Sequence, residues 1–173
     1  MTVRVAPDET RAIPSGAAAA ILAGTASLLL LGGALAFQYL GGLAPCEMCI
    51  WQRWPHGFAI AAGLIGGALL SSDILPPNWG RIFAFAAIGG LMISGAIGIF
   101  HAGVEWKLWP GPSACTGFGY VPGQENFKPL QIVRCDEAQW RLFGISLAGY
   151  NAIFSFAAAI AAASVLRSSK ARP

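Results

Sequence analysis

Charge is what this sequence has least of. Only 11% of its 173 residues are Asp, Glu, Lys or Arg, against about 25% in a soluble globular domain. Eleven basic and eight acidic side chains cannot cover a compact water-soluble particle of this length. A disordered chain is excluded from the other side, because disorder needs high charge and few apolar residues, and here 55% are hydrophobic. The net charge of +3 is too small and too scattered for a nucleic-acid partner. Histidine occurs twice and cysteine four times, so each of these residues stands out.

Between the sparse charges lie four charge-free runs, at about 17–40, 54–72, 82–104 and 142–166. Each reaches the roughly 20 residues that a membrane-spanning helix requires. The reading is an all-α integral membrane protein, a four-transmembrane-helix bundle forming one membrane domain, with the lipid bilayer as its solvent. Residues Asp73 to Gly80 make a short turn with Pro76, Pro77 and Asn78. Loops at about 41–53 and 105–141 hold Cys46 with Cys49 and Cys115 with Cys135. The second is punctuated by Pro110, Pro112, Pro122 and Pro129. With four spans, both loops fall on one side. A cleaved leader at Ala34-Leu35-Ala36 is the weaker reading, because the apolar run is about twice a normal h-region.

Orientation from basic residues is nearly balanced. Arg4, Arg11, Arg81, Arg167, Lys170 and Arg172 stand on the side of the termini; Arg53, Lys107, Lys128, Arg134 and Arg141 stand on the cysteine side. Cysteine chemistry weighs more, since disulfides persist in oxidising compartments. It places both loops outside the cytoplasm and the termini inside.

Pro45-Cys46-Glu47-Met48-Cys49 is a C-x-x-C at the start of a helix-like run. A helix N-terminus favours a thiolate through its positive dipole end. Arg53, one turn after Cys49, adds a fixed positive charge; acidic Glu47 works against both. Three chemistries stay open on the residues alone: a four-thiolate zinc site, two structural disulfides, and a redox relay.

The run from Leu43 to Arg53, Leu-Ala-Pro-Cys-Glu-Met-Cys-Ile-Trp-Gln-Arg, resembles the first outer-loop signature of the disulfide bond formation protein B (DsbB) family. His101-Ala102-Gly103-Val104-Glu105-Trp106 with Cys115 resembles the start of that family's second outer loop. Cys135 to Trp140, followed by Phe143-Gly144-Ile145-Ser146, resembles the approach to its fourth helix. The match runs along essentially the whole chain in order. Glu47 between the first two cysteines departs from the pattern and bears on that pair's redox poise, and the long loop is short by comparison.

The resemblance implies a bacterial inner-membrane enzyme that oxidises thiols with a quinone, ubiquinone or menaquinone, as acceptor and no metal. It implies that a periplasmic DsbA-like thiol oxidase attacks a Cys115–Cys135 disulfide at Cys115. Cys135 then engages Cys46, and Cys49 passes electrons to the membrane quinone pool. It also implies a quinone-site role for Arg53 and His101, and, more distantly, for Leu147 and Tyr150 in the pocket. A related oxidase with a dedicated substrate protein is the nearest rival. A metal-binding or structural membrane subunit is a rival of another class. Vitamin K epoxide reductase-like proteins share such a bundle, but there the active C-x-x-C is expected late in the chain, and the fourth span here has no Cys.

His56, after Trp54-Pro55, reads as an interfacial structural residue. Trp51, Trp54, Trp106, Trp109 and Trp140 read as an aromatic belt on the cysteine side. Gly63-x-x-x-Gly67 matches a close-packing pattern to which no function attaches.

Overall fold

The computed structural model describes residues 13–116 and 133–168. Arg4, Arg11, Lys128, Lys170 and Arg172, which entered the orientation argument, lie outside them. So do Pro122 and Pro129 of the long loop.

Four helices are long and apolar enough to cross a membrane: Ser15–Tyr39, Glu47–Ser71, Pro77–Glu105 and Leu147–Ser168. The third opens with a 3-10 turn, Pro77–Trp79, and continues as α-helix over Gly80–Glu105. It packs against each of the other three. The interior is built from small side chains, with Ala20, Ala23, Ala84, Ala87, Ala159 and Ala162 buried. Large side chains such as Leu29, Phe85 and Ile160 point outward. That is the inverse of a soluble bundle. Lipid does not drive large apolar groups inward, so close backbone approach governs helix association. Gly63 shows how close: a Cβ there would stand 2.4 Å from the Ala20 carbonyl oxygen and 2.7 Å from Gly24 Cα.

Besides the third helix, which opens at Pro77 ahead of its charge-free run, two helix starts differ from those runs. The second helix starts at Glu47, not near residue 54, because Cys46 caps it. Cys46 Sγ accepts from the Cys49 backbone N–H at 3.3 Å. Arg53 interrupts the apolar run without interrupting the helix. Pro55 is accommodated inside it, and a π turn follows at Ala61–Ile65. Cys49 and Arg53 therefore ride on a helix rather than in a loop.

The fourth helix begins only at Leu147, whereas the charge-free run begins at 142. The intervening residues form a two-stranded hairpin, β1 (Arg141–Leu142) against β2 (Ile145–Ser146). Phe143 and Gly144 both have positive φ, 49° and 80°, the geometry of a two-residue type I′ turn. Ser146 Oγ then accepts from Gly149 N–H at 3.3 Å, closing the helix start. Apolar composition alone does not separate such a hairpin from the first turn of a span.

Candidate active site

All four cysteines meet at one end of the bundle. Cys115 and Cys135 form a disulfide with Cα atoms 5.4 Å apart. Their sulfurs are bonded to each other, so the four do not make a four-thiolate metal site. Cys46 and Cys49 are free thiols with Sγ atoms 2.8 Å apart. The disulfide, Cys46, Met48 and Val104 make one buried cluster, with Cys49 and Val133 packed against it. Cys115 is 2% exposed and Cys135 fully buried, an enclosure that the loop reading did not foresee. The neighbouring Cys49 thiol, and then burial, push the Cys46 thiol up from its ordinary value, so Cys46 holds its proton. Glu47 is exposed at the first helical position. There water screens its charge and the helix dipole accommodates it.

His101, near the end of the third helix, reaches this cluster. Its Nε2 lies 3.6 Å from Cys46 Sγ and 3.7 Å from Glu105 Oε1. Its Nδ1 lies 2.9 Å from Gln52 Nε2. The same Gln52 amide nitrogen donates to the Met48 carbonyl at 3.1 Å, which fixes the amide's orientation. Nδ1 is therefore the acceptor, and Nε2 carries the hydrogen, within reach of the Cys135 backbone as well as of Cys46 and Glu105. Donor atoms of Cys46, Cys49 and His101 all fall within 4.8 Å of one another, a compactness that suits thiol exchange as well as ligation.

From Gln52 a polar ladder descends into the bundle. Asn151 Nδ2 donates to Gln52 Oε1 at 2.8 Å and to Ser94 Oγ at 3.0 Å. Asn151 Oδ1 accepts from His56 Nε2 at 2.9 Å and from Ser155 Oγ at 3.1 Å. His56 Nδ1 meets Ser27 Oγ at 3.3 Å. All four long helices contribute. His56 is thus a buried member of this ladder, not an interfacial residue.

Beside the ladder a cavity of about 460 Å³ opens among the four helices, the third reaching it through His101 and Glu105, within the size range of small-molecule sites. Cys46, Cys49, Arg53, His101, Leu147 and Tyr150 line it, with Phe37 and Phe154 among its apolar walls. Trp140 leaves the aromatic belt and joins this wall, its ring 5.0 Å from Phe37 and 6.2 Å from Tyr150. Arg53 Nη1 donates to Gln38 Oε1 at 2.6 Å. Two buried polar atoms at the cavity have no hydrogen-bond partner: the donor Arg53 Nε and the acceptor Glu105 Oε2. At the rim, Arg134 and Lys107 pair with Asp136 and hold its carboxyl well below the usual range.

Sequence reading missed Gln52, Asn151 and Gln38. A signal existed for two of them. Gln52 and His56 stand four apart on one helical face, and Asn151 is a lone amide early in an apolar run, where polar groups need a reason.

A sequence profile described as "Disulfide bond formation protein DsbB" matches residues 16–165. Disulfide bond formation protein B of Shewanella sp. (strain MR-4) is 30% identical over 151 residues, covering 83% of this chain and 82% of its own. The protein of that name from Pasteurella multocida (strain Pm70) is 34% identical over 130 residues, 71% and 70% of the two chains. That of Burkholderia ambifaria is 29% identical over 164 residues, 90% and 91%. No solved structure matches the chain. With a profile spanning nearly its whole length, relatives matched along most of theirs, and four membrane-spanning helices, this multi-pass membrane protein belongs to the DsbB family of disulfide bond formation proteins.

Proposed function

We propose that the protein is a membrane thiol:quinone oxidoreductase of the bacterial inner membrane. It re-oxidises a periplasmic, thioredoxin-like dithiol oxidase of the DsbA type. One observation carries this reading: two cysteine pairs share one buried cluster, and the pair nearer the bundle opens onto an apolar cavity with an unpartnered guanidinium N–H.

The exchange chemistry follows from thiolate attack on a disulfide sulfur. A thiolate of the partner attacks Cys115 and releases Cys135. Cys135 attacks the Cys46–Cys49 disulfide at Cys46 and frees Cys49. Cys49 sits in the first turn of its helix, where the dipole favours a thiolate, and Arg53 one turn on adds positive charge. The partner's second thiolate then displaces Cys115, and Cys115 attacks Cys135, restoring the Cys115–Cys135 disulfide and releasing Cys46. Cys46 and Cys49 end as thiols, the state they have here.

A quinone fits the cavity on three counts. The walls are largely apolar, the volume is that of a small-molecule site, and Arg53 Nε lacks an acceptor of the kind a carbonyl oxygen supplies. When bound, it would supply the two-electron sink. Arg53 would hold a carbonyl oxygen and stabilise charge developing there. Leu147, Tyr150 and Trp140 would exclude water.

Purified protein, given a reduced DsbA-type oxidase and a short-chain ubiquinone without oxygen, is expected to form quinol and oxidised partner in equal amounts. Oxidation of the partner without quinol would refute the reading. The proposed orientation puts both cysteine loops in the periplasm and the termini in the cytoplasm. A membrane-impermeant thiol reagent should therefore label the reduced protein in intact spheroplasts. Labelling only after membrane rupture would reverse the topology.

A further inference from the structure

We propose that Glu105 is a catalytic acid–base residue, giving a proton to the ligand of the cavity and regaining one from the thiols. The inference rests on the quinone reading above. The observation is the pair of unpartnered buried atoms at one cavity, Arg53 Nε and Glu105 Oε2. Buried polar atoms are rarely left without partners. One is a donor and the other an acceptor of opposite demand, so a ligand completing both must match them differently.

The Glu105 side chain is 6% exposed. Its Oε1 faces His101 Nε2, which carries a hydrogen by the Gln52 argument. Ser146 also reaches the carboxyl, and Arg141 lies against the same helix end, at the Glu105 carbonyl. Of the two carboxyl oxygens, Oε2 is the one buried without a hydrogen-bond partner, and so the one left for the cavity. A quinone has only acceptor oxygens. It can meet Oε2 favourably only if that oxygen carries a proton. A hydroquinone has hydroxyl donors and meets the bare carboxylate. The carboxyl therefore changes protonation as the ligand changes oxidation state.

The balance closes. Joining Cys46 to Cys49 breaks two S–H bonds, makes one S–S bond, and yields two electrons and two protons. Reducing quinone to hydroquinone consumes two of each. Glu105 gives its proton to the facing oxygen and is reprotonated by one thiol proton. The other thiol proton leaves to water, and water supplies the second hydroxyl proton.

The test uses the full-length protein in detergent, with a short-chain ubiquinone as probe, in wild type, Glu105→Gln and Glu105→Asp. Gln keeps a hydrogen-bond donor of similar shape but has no proton to give. Quinone should bind Glu105→Gln as it binds wild type, while quinol formation falls roughly a hundredfold, the range of a lost general acid. Asp should recover part of the rate. The infrared difference spectrum between quinone- and hydroquinone-bound wild type should contain a protonated-carboxyl band that Glu105→Gln lacks. Wild-type turnover in Glu105→Gln, or the same band in that variant, would overturn the proposal and leave the quinone reading intact. Failure of wild type to bind or reduce quinone would instead remove the reading beneath it. If Glu105→Gln does not fold, absence of the band from wild type overturns the proposal.

Discussion

Cys135→Ala is expected to accumulate a mixed disulfide between Cys115 and the partner oxidase, with multiple turnover lost. Without Cys135 the lone Cys115 thiol opens the disulfide of the oxidised partner and forms the adduct, and no Cys135 thiol is present to resolve it. Cys115→Ala should give no such adduct and equally little turnover. Non-reducing electrophoresis after mixing each variant with oxidised partner reads both outcomes. Equal trapping by the two variants, or none by either, would reverse or remove the assigned roles. Burial sharpens the expectation. Cys115 is 2% exposed and Cys135 fully buried, so partner attack needs the short Ser113–Thr116 helix to yield. Adduct formation should therefore be slower in the folded protein than with the protein unfolded but still oxidised.

Arg53→Ala and Arg53→Gln are expected to slow quinone reduction roughly tenfold to a hundredfold. A hydrogen bond to a charged group is worth about 1.5–3 kcal/mol, and about 1.36 kcal/mol is one decade of rate. Arg53→Lys should fall between, because it keeps the charge and loses the planar fork. Single-turnover oxidation of the partner by the Cys115–Cys135 disulfide should be unchanged, since Arg53 stands on the quinone side of the relay. Quinone-reduction kinetics of the three variants, with that single-turnover control, decide it. Wild-type kinetics in Arg53→Ala would leave Arg53 a membrane-edge anchor held by Gln38.

The four spans were legible because a helix in lipid must exclude charge along its whole length, and the charge-free runs record that directly. Pro45-Cys46-x-x-Cys49 and Arg53 were legible because their spacing is local. Helix starts were less so. Cys46 as a cap and Phe143-Gly144 as a hairpin turn are settled by backbone geometry that composition does not encode. The ladder was least visible. Gln52 meets His101 across 49 residues and Asn151 across 99, and an amide in a helix announces nothing until its distant partner is known. Trp140 misled for a similar reason. A tryptophan near a span usually marks the interface, and only the arrival of Phe37 and Tyr150 beside it turns it inward.

The position of Asn151 in the last of the four helices has a consequence for biogenesis. Gln52, Ser94 and His56 belong to helices that leave the ribosome earlier, yet each bonds to this one amide. Until the fourth helix enters the bilayer, those groups must keep water, find one another, or remain beside the translocation machinery, because bare lipid offers them nothing. Asn151 is thus a closing stone laid last. A nascent chain stalled before it carries three hydrophobic helices in which Gln52 Oε1 and His56 Nε2 still lack this partner.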